Sequence, residues 1–278
     1  MLAIVGHGGA GGRPFSEKEM AEVRRATEAG MRSLLLGRSA LDAAVESVSE
    51  MENGAFNAGT GSIIRRRARG RPIQQMDAIV ATSKGLYGAV GAVAGVKHPV
   101  SLARIVPERT PHKVLVGSEA RRLARANGLS RNPGPSQLAL DRFQLQGFIE
   151  KDGGDTVGTI ALDATGTLAV ASSTGGMGAM LFGRLGDVIF WGAGWWVDSM
   201  CAVLATGVGE QIIDAHGSYE VARRIRRGIH PKQACERVVR QYFDSQTSVG
   251  FIALVLRGTT VEVGISSNGF MANHSIVG

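Results

Sequence analysis

Thr156 stands where a glycine-marked loop meets an apolar stretch, in Gly153-Gly154-Asp155-Thr156-Val157-Gly158-Thr159-Ile160-Ala161-Leu162-Asp163. A threonine hydroxyl is a weak nucleophile unless a base lies beside it. Cutting the chain immediately before the threonine supplies that base, because the freed α-amine reaches the hydroxyl of its own residue. The amine has a reference pKa of roughly 7.7 to 8, so a useful fraction of it is neutral near neutral pH. The same segment also reads as an ordinary strand entered from a turn, since threonine is common in strands and glycine in turns.

A second group with chemistry in it is Gly183-Arg184-Leu185-Gly186-Asp187. A free amino-acid head group needs a cation and an anion close together, and an arginine grips a carboxylate in bidentate fashion. The bland alternative for Arg184 and Asp187 is a surface ion pair, and for Thr174 and Thr206 a turn or N-cap threonine. Gly6-His7-Gly8-Gly9-Ala10-Gly11-Gly12 reads as a loop where backbone comes close to something. It has neither the Walker lysine nor a G-x-G-x-x-G fingerprint. No Cys or His pair has metal-ligand spacing, so neither metal nor cofactor is expected.

These residues need elements to place them. Met1 to Val5 reads as a strand rather than a targeting segment. Residues 17–36 carry apolar positions at helical spacing, and Ser39 caps a second helix with Leu41, Ala44, Val45 and Val48 on one face. From Phe56 to Val96 the chain reads as strands broken by glycines and by the basic run Arg65-Arg66-Arg67-Ala68-Arg69-Gly70-Arg71, taken as a solvated hairpin tip. A short helix starts at Pro99, an apolar run spans 113–116, and 118–126 is helical and basic. The stretch 127–137 is a linker rich in Gly, Pro, Asn and Ser that runs on toward Gly153-Gly154, predicting a mobile segment before Thr156. Strands follow at 157–162 and 168–172, helices over much of 198–215, 219–227 and 231–243, and closing strands at 250–256 and 260–265. Strands group with strands and helices with helices, which predicts an α+β fold of antiparallel sheets covered by helices.

The 278 residues allow one large domain or two small ones, and 44% hydrophobic content allows a substantial core. The 39 glycines are about twice the usual share of roughly 7%, and their spread along the chain points to tight turns and close backbone packing. No apolar run approaches the roughly 20 residues that span a bilayer. Cys201 and Cys235 fall in segments that read as helical and are expected to be reduced thiols in a cytoplasmic protein. A net charge of +7 raises nucleic acid as a partner, but no aromatics interleave with the basic residues and no nucleic-acid module is present.

Several segments together resemble one family, the plant-type asparaginases and isoaspartyl aminopeptidases among the N-terminal nucleophile hydrolases. They include His7-Gly8-Gly9-Ala10-Gly11, Phe56-Asn57-Ala58-Gly59-Thr60-Gly61-Ser62, Met76-Asp77-Ala78, Asp155-Thr156-Val157-Gly158 and Ser173-Thr174-Gly175-Gly176. Gly183 to Asp187, Gly192-Ala193-Gly194 and Ala205-Thr206-Gly207-Val208-Gly209-Glu210 complete the pattern, whose order and spacing carry the resemblance. The resemblance implies a four-layer αββα sandwich in one domain, residues 1–278. It implies self-cleavage between Asp155 and Thr156 into chains of residues 1–155 and 156–278. Thr156 is then the nucleophile, Thr174 its hydrogen-bonding neighbour, and Thr206 with Gly207 the oxyanion hole. Arg184, Asp187 and Gly209 hold the substrate's head group, Asn57 lies close to the nucleophile, and His7 to Gly9 lie beside it. The implied activity is hydrolysis of β-aspartyl peptides, L-asparagine or both by a homo-oligomer of processed units, with no nucleic acid or membrane partner. Two other readings stay open at this point: the same fold and cleavage with a different amide or protein substrate, and a non-enzymatic basic protein that binds a polyanion.

The chain departs from the family pattern at Met180, where a lysine is usual, at Val188-Ile189 in place of Ser-Pro, and at Trp195-Trp196 near a usual tyrosine. The C-terminal Asn-Thr-x-Gly-Met pattern is replaced by Ser266-Ser267-Asn268-Gly269-Phe270, and the arginine after it is missing. These changes make the surroundings of the site more apolar and remove no reacting group.

Overall fold

The computed structural model describes residues 1–65, 72–145, 156–178 and 180–278. Strand β1 (Ala3–Gly11) leads to α1 (Glu17–Leu35) and α2 (Ala40–Glu52), then to the short pair β2 (Ile64–Arg65) and β3 (Ile73–Gln74). Next come β4 (Met76–Thr82), β5 (Tyr87–Val93), α3 (Pro99–Arg109), β6 (Val114–Val116), α4 (Gly117–Ala126) and α5 (Gln137–Leu145). After Thr156 follow β7 (Val157–Leu162), β8 (Leu168–Thr174), β9 (Trp195–Val197) and β10 (Cys201–Gly207). Helices α6 (Gly209–Ala215), α7 (Gly217–Arg226) and α8 (Pro231–Tyr242) and strands β11 (Val249–Arg257), β12 (Thr260–Ser267) and β13 (Phe270–Val277) close the chain.

Helices α1 and α2 begin at side-chain caps. Ser39 accepts from Asp42 N while Asp42 returns a bond to the Ser39 backbone, and Ser16 with Glu19 does the same for α1. A seven-stranded sheet runs β13-β1-β7-β8-β4-β5-β6 and a four-stranded one runs β12-β11-β10-β9. Side chains alternate between two destinations along each strand. Ala3, Val5, Ile79 and Ile160 of the large sheet share an apolar cluster with Ala202, Leu204, Ile252 and Leu254 of the small one. The alternate residues Ile4, Ala78 and Val80 pack with α1 to α4. On the small sheet Val203, Phe251 and Ala253 pack with α7 and α8.

Five expectations are corrected. The glycine-rich stretch after Val5 is not a loop: β1 continues through Gly11, with a bulge between His7 and Ala10 in its pairing with β13. Gly8 is needed there because any side chain would enter the Phe56 ring. Residues 201–207 are a strand, not part of a helix, and Cys201 therefore lies on β10. Every residue of that strand is buried, so neither helical nor alternating periodicity shows in its sequence. The large sheet is not wholly antiparallel, because β5 and β6 pair in parallel across the α3 crossover. The stretch 127–137 is tied down rather than a free linker. Lys97 N donates to Ser130 O at 3.0 Å and Ser136 N to Thr60 O at 2.9 Å, and α5 begins where it ends. Finally, Arg65 is not on a solvated tip but buried. The rest of the basic run, at 66–71, and the mobile segment expected before Thr156, at 146–155 including Asp155, lie outside the described residues.

Candidate active site

The site forms at one end of the large sheet. β7 pairs with β8 antiparallel from Val157↔Ser173, so one further step brings Thr156 level with Thr174. Both threonines are buried. On the other side of β7, β1 places His7 opposite Gly158, and a methyl group at Gly158 would stand 2.5 Å from His7 Nε2. His7 is fully buried, and neither ring nitrogen has a hydrogen-bond partner among the described residues. Burial pushes its pKa down to about 3, opposed only by the nearby Thr156 backbone, so the ring is a neutral neighbour of the threonine rather than a strong base.

The turn after Thr174 is held by its neighbours. Gly176 N donates to Thr174 Oγ1 at 3.0 Å, and Gly175 N donates to Asn57 O at 2.6 Å. Asn57 Nδ2 donates to Gly176 O at 2.7 Å, and its Oδ1 accepts from Ile63 N at 2.8 Å. Asn57 thus shapes the turn that follows Thr174. Asp77, opposite Thr174 on β4, accepts from Ala92 N at 2.7 Å and from Gly186 N at 2.8 Å. Gly186 is the meeting point of the site. A methyl group there would stand 3.1 Å from Arg184 Nη1, 3.4 Å from Asp77 Oδ2 and 3.7 Å from Thr174 Cγ2.

Arg184 and Asp187 do not pair with each other as a surface ion pair. The Arg184 fork gives Nε and Nη2 to the Glu210 carboxylate at 2.9 and 2.7 Å. Asp187 is buried, and its Oδ2 has no hydrogen-bond partner among the described residues. Burial raises its pKa to about 7; the Arg184 charge opposes that rise, while Asp77 and Glu210 add to it. Gly209 stands against both groups. A methyl group there would lie 2.6 Å from Arg184 Nη2 and 2.9 Å from Asp187 Oδ1. Gly209 thus stands against a guanidinium nitrogen and a carboxylate oxygen, the pair of opposite charges that an amino-acid head group requires.

The small sheet brings the remaining candidates. Leu204 of β10 touches the Gly158 region of β7, and three residues later the same strand ends at Gly207, with φ +140°. Thr206 is fully buried with no partner for Oγ1 among the described residues, so its hydroxyl is free to serve a ligand. The turn from Gly207 to Gly209 then runs from the end of β10 to the charged pair.

One geometry thus joins the Thr156–Thr174 step, the Gly186 junction and the Arg184–Asp187–Gly209 cradle. The sequence model of the asparaginase family matches residues 1–275. The chain belongs to the asparaginase family. It is 38% identical to the plant-type L-asparaginase of Pyrobaculum calidifontis over 93% of this chain and 92% of that protein. The isoaspartyl peptidase/L-asparaginase of Danio rerio is 34% identical over 95% and 89% of the two chains, and the isoaspartyl peptidase of Escherichia coli 36% over 84% and 80%.

Relative to that family's pattern, the departures sit close to the site. The Met180 sulfur lies 4.0 Å from Arg184 Nη1 and that of Met177 3.6 Å from Nη2. Val188 and Ile189 join the apolar layer between the sheets. Asn268 caps a turn, donating to Asp244 O and Thr247 O while accepting from Val249 N at 2.8 Å. Among the described residues no group of His, Cys, Asp or Glu is arranged to hold a metal ion, and no helix is long and apolar enough to cross a membrane. Helix-face arginines that contribute to the positive charge sit in ion pairs, Arg223 and Arg224 with Glu220 and Arg226 with Asp198.

Sequence reasoning about the site missed Asp77, Gln75 and Arg65. A carboxylate inside the apolar run 76–81 is the signal that marks Asp77, because such a group is seldom buried without fixed partners. Gln75 carries no such mark, and Arg65 is hidden in a run of like residues.

Proposed function

We propose that the chain is a self-processing amidohydrolase that cleaves β-aspartyl peptides, L-asparagine or both through a threonine acyl-enzyme. The observation that carries this reading is Gly186, which touches the neighbourhood of Thr174 Cγ2 and of Arg184 Nη1 at once. A head group held at Arg184 and Asp187 therefore lies within one side chain's length of the nucleophile's neighbour. The names of the relatives point to the same substrates.

In maturation, the Thr156 hydroxyl attacks the Asp155 carbonyl. The Asp155–Thr156 C–N bond breaks as an ester forms, and water hydrolyses the ester to leave a free Asp155 carboxylate and a free Thr156 amine. In turnover, that amine takes the Thr156 hydroxyl proton as the oxygen attacks the side-chain carbonyl of the substrate. The negative oxygen is stabilised by the Thr206 hydroxyl and the Gly207 amide. The amine then passes its proton to the leaving ammonia or peptide amine, and water releases L-aspartate from the ester. Arg184 holds the α-carboxylate, Asp187 the α-ammonium group, and Gly209 leaves room for both. Thr174 bonds the nucleophile, and Asn57 fixes the turn behind it.

The same reading makes residues 1–278 one domain with the four-layer αββα arrangement, cut into chains of residues 1–155 and 156–278. The apolar layer shared by the two sheets and the helices on their outer faces support it. Association of processed units into a homo-oligomer is supported by the exposed Phe190 and Trp191. A reducing, cytoplasmic setting is supported by the free, buried Cys201 and Cys235. Ammonia release from L-asparagine and amino-acid release from β-aspartyl dipeptides test the activity. Turnover of at least one class is expected, and none of either would refute the reading.

A further inference from the structure

Arg65 is the least expected side chain near the site. It opens a basic run that reads as solvent-facing, yet its guanidinium is buried among backbone carbonyls from three places. Nη2 donates to Gly175 O and to Met177 O, the latter at 3.0 Å, and Nη1 donates to Gln75 O at 3.2 Å. Burying a guanidinium is costly unless acceptors replace its water. Arginine suits this place better than lysine, because its planar fork serves several fixed acceptors at once.

What Arg65 holds is the segment that needs holding. From Gly175 to Gly183 the chain forms no helix or strand among its described residues, and both Gly176 and Gly183 have positive φ, at +72° and +88°. Glycines and missing ladder bonds make such a segment costly to order, so external bonds must fix it. Arg65 fixes its start through Gly175 and Met177. Its end is fixed by Gln75, whose Oε1 accepts from Gly183 N at 3.0 Å and whose Nε2 donates to Arg184 O at 3.2 Å. Gln75 is itself bonded through its carbonyl to Arg65, so the two ends share one support. A methyl group at Gly176 would stand 3.1 Å from Arg65 Nη2 and 2.5 Å from the Met180 sulfur, which packs the loop's middle against the same guanidinium.

We propose that Arg65 is a positioning residue for Arg184: it clamps both ends of the loop that joins Thr174 to Arg184 and so sets the distance between nucleophile and head-group cradle. This rests on the reading of Arg184 as the carboxylate partner. Arg65 touches no reacting atom; it acts through the Gly175–Met177 turn and through Gln75. Its charge also lies close enough to the buried Asp77 to favour that carboxylate's ionised form, against the burial that raises its pKa. One cation thus steadies two of the groups that frame Gly186.

The test uses the processed enzyme with Arg65→Met and Arg65→Lys, each alone and combined with Arg184→Lys. Arg65→Met is expected to raise KM about ten-fold or more while kcat stays within about three-fold, with Arg65→Lys intermediate. In the Arg184→Lys background the same change should add no more than about two-fold, because both substitutions spoil one interaction. A merely stabilising arginine gives a different pattern: a lower Tm, an unchanged KM, and effects that multiply with Arg184→Lys. That pattern overturns the proposal. Hydrogen exchange supplies a readout that needs no activity. The Gly176 and Gly183 amides should exchange about ten-fold faster in either Arg65 variant than in the parent. Unchanged exchange there sinks the clamp even if the activity reading holds, whereas a parent enzyme inactive on every substrate sinks the activity reading alone. Should Arg65→Met fail to fold, Arg65→Lys carries both measurements.

Discussion

Gly209 lies against Asp187 so closely that a methyl group on it would stand 2.9 Å from the Asp187 Oδ1, with Arg184 Nη2 2.6 Å away on its other side. Glycine here is a requirement of the space, not of the backbone, since Gly209 opens α6 and is not among the glycines with positive φ. Gly209→Ala is therefore expected to fill the head-group space. KM should rise by about a hundred-fold or more, while self-cleavage, which needs no head group, continues. An alanine variant with parent KM would show that the head group binds elsewhere.

Arg184→Lys keeps the charge but loses the planar fork that now grips Glu210 through two nitrogens. Losing a charge-assisted hydrogen bond costs about 1.5–3 kcal/mol, or roughly ten- to a hundred-fold in binding. Steady-state kinetics should show that loss in KM on every candidate substrate. Unchanged kcat/KM throughout would remove Arg184 from the cradle.

The acidic limb of kcat/KM should be independent of histidine. The Thr156 amine must be neutral to act as base, and Asp187 must be ionised to hold an ammonium group. Its pKa of about 7 puts that ionisation in the neutral range. Activity should thus rise with pH through neutrality as both groups lose protons. His7 has a pKa of about 3 and is already neutral there. His7→Asn, once fully processed, should keep the limb in place. Loss of the limb in that variant would make the imidazole the base.

Asp187 also predicts how stability depends on pH. Its folded pKa of about 7 lies above the ordinary 3.8, so the folded state keeps this proton to higher pH than the unfolded chain does. As pH rises from about 4 to about 7, the parent should lose stability relative to Asp187→Asn, by on the order of 4 kcal/mol, and the difference should level off above 7. Urea titrations of both processed proteins at pH 5 and pH 8 should capture about 3 kcal/mol of it. Parallel curves would contradict a buried Asp187 whose pKa is raised by burial.

Much of this was legible in the sequence, and the exceptions share a cause. Ser39, the apolar stripe of α2 and the strands on either side of the 163–167 turn follow from local chemistry, so local reading finds them. Strand β10 does not, because burial on both faces erases the alternation that marks a strand. β13 is also missed, since its residues earn their places only by pairing with the distant β1. Thr156, Thr174, Arg184 and Asp187 are named from glycine-flanked motifs and from the family resemblance, and the structure places them at neighbouring positions. Asp77, Gln75 and Arg65 do their work through backbone atoms of other segments, and nothing within their own segments announces which amide or carbonyl they will meet.

The central claim is that Thr156 cuts the chain before itself and then uses the amine it has freed. The intact mass of purified protein, beside that of Thr156→Ala, tests this most directly. The parent should give two chains whose masses place the break between Asp155 and Thr156, and Thr156→Ala should remain one chain without hydrolase activity. A Thr156→Ala protein that still splits at that bond, or a parent that hydrolyses its substrates while remaining a single chain, would contradict the account.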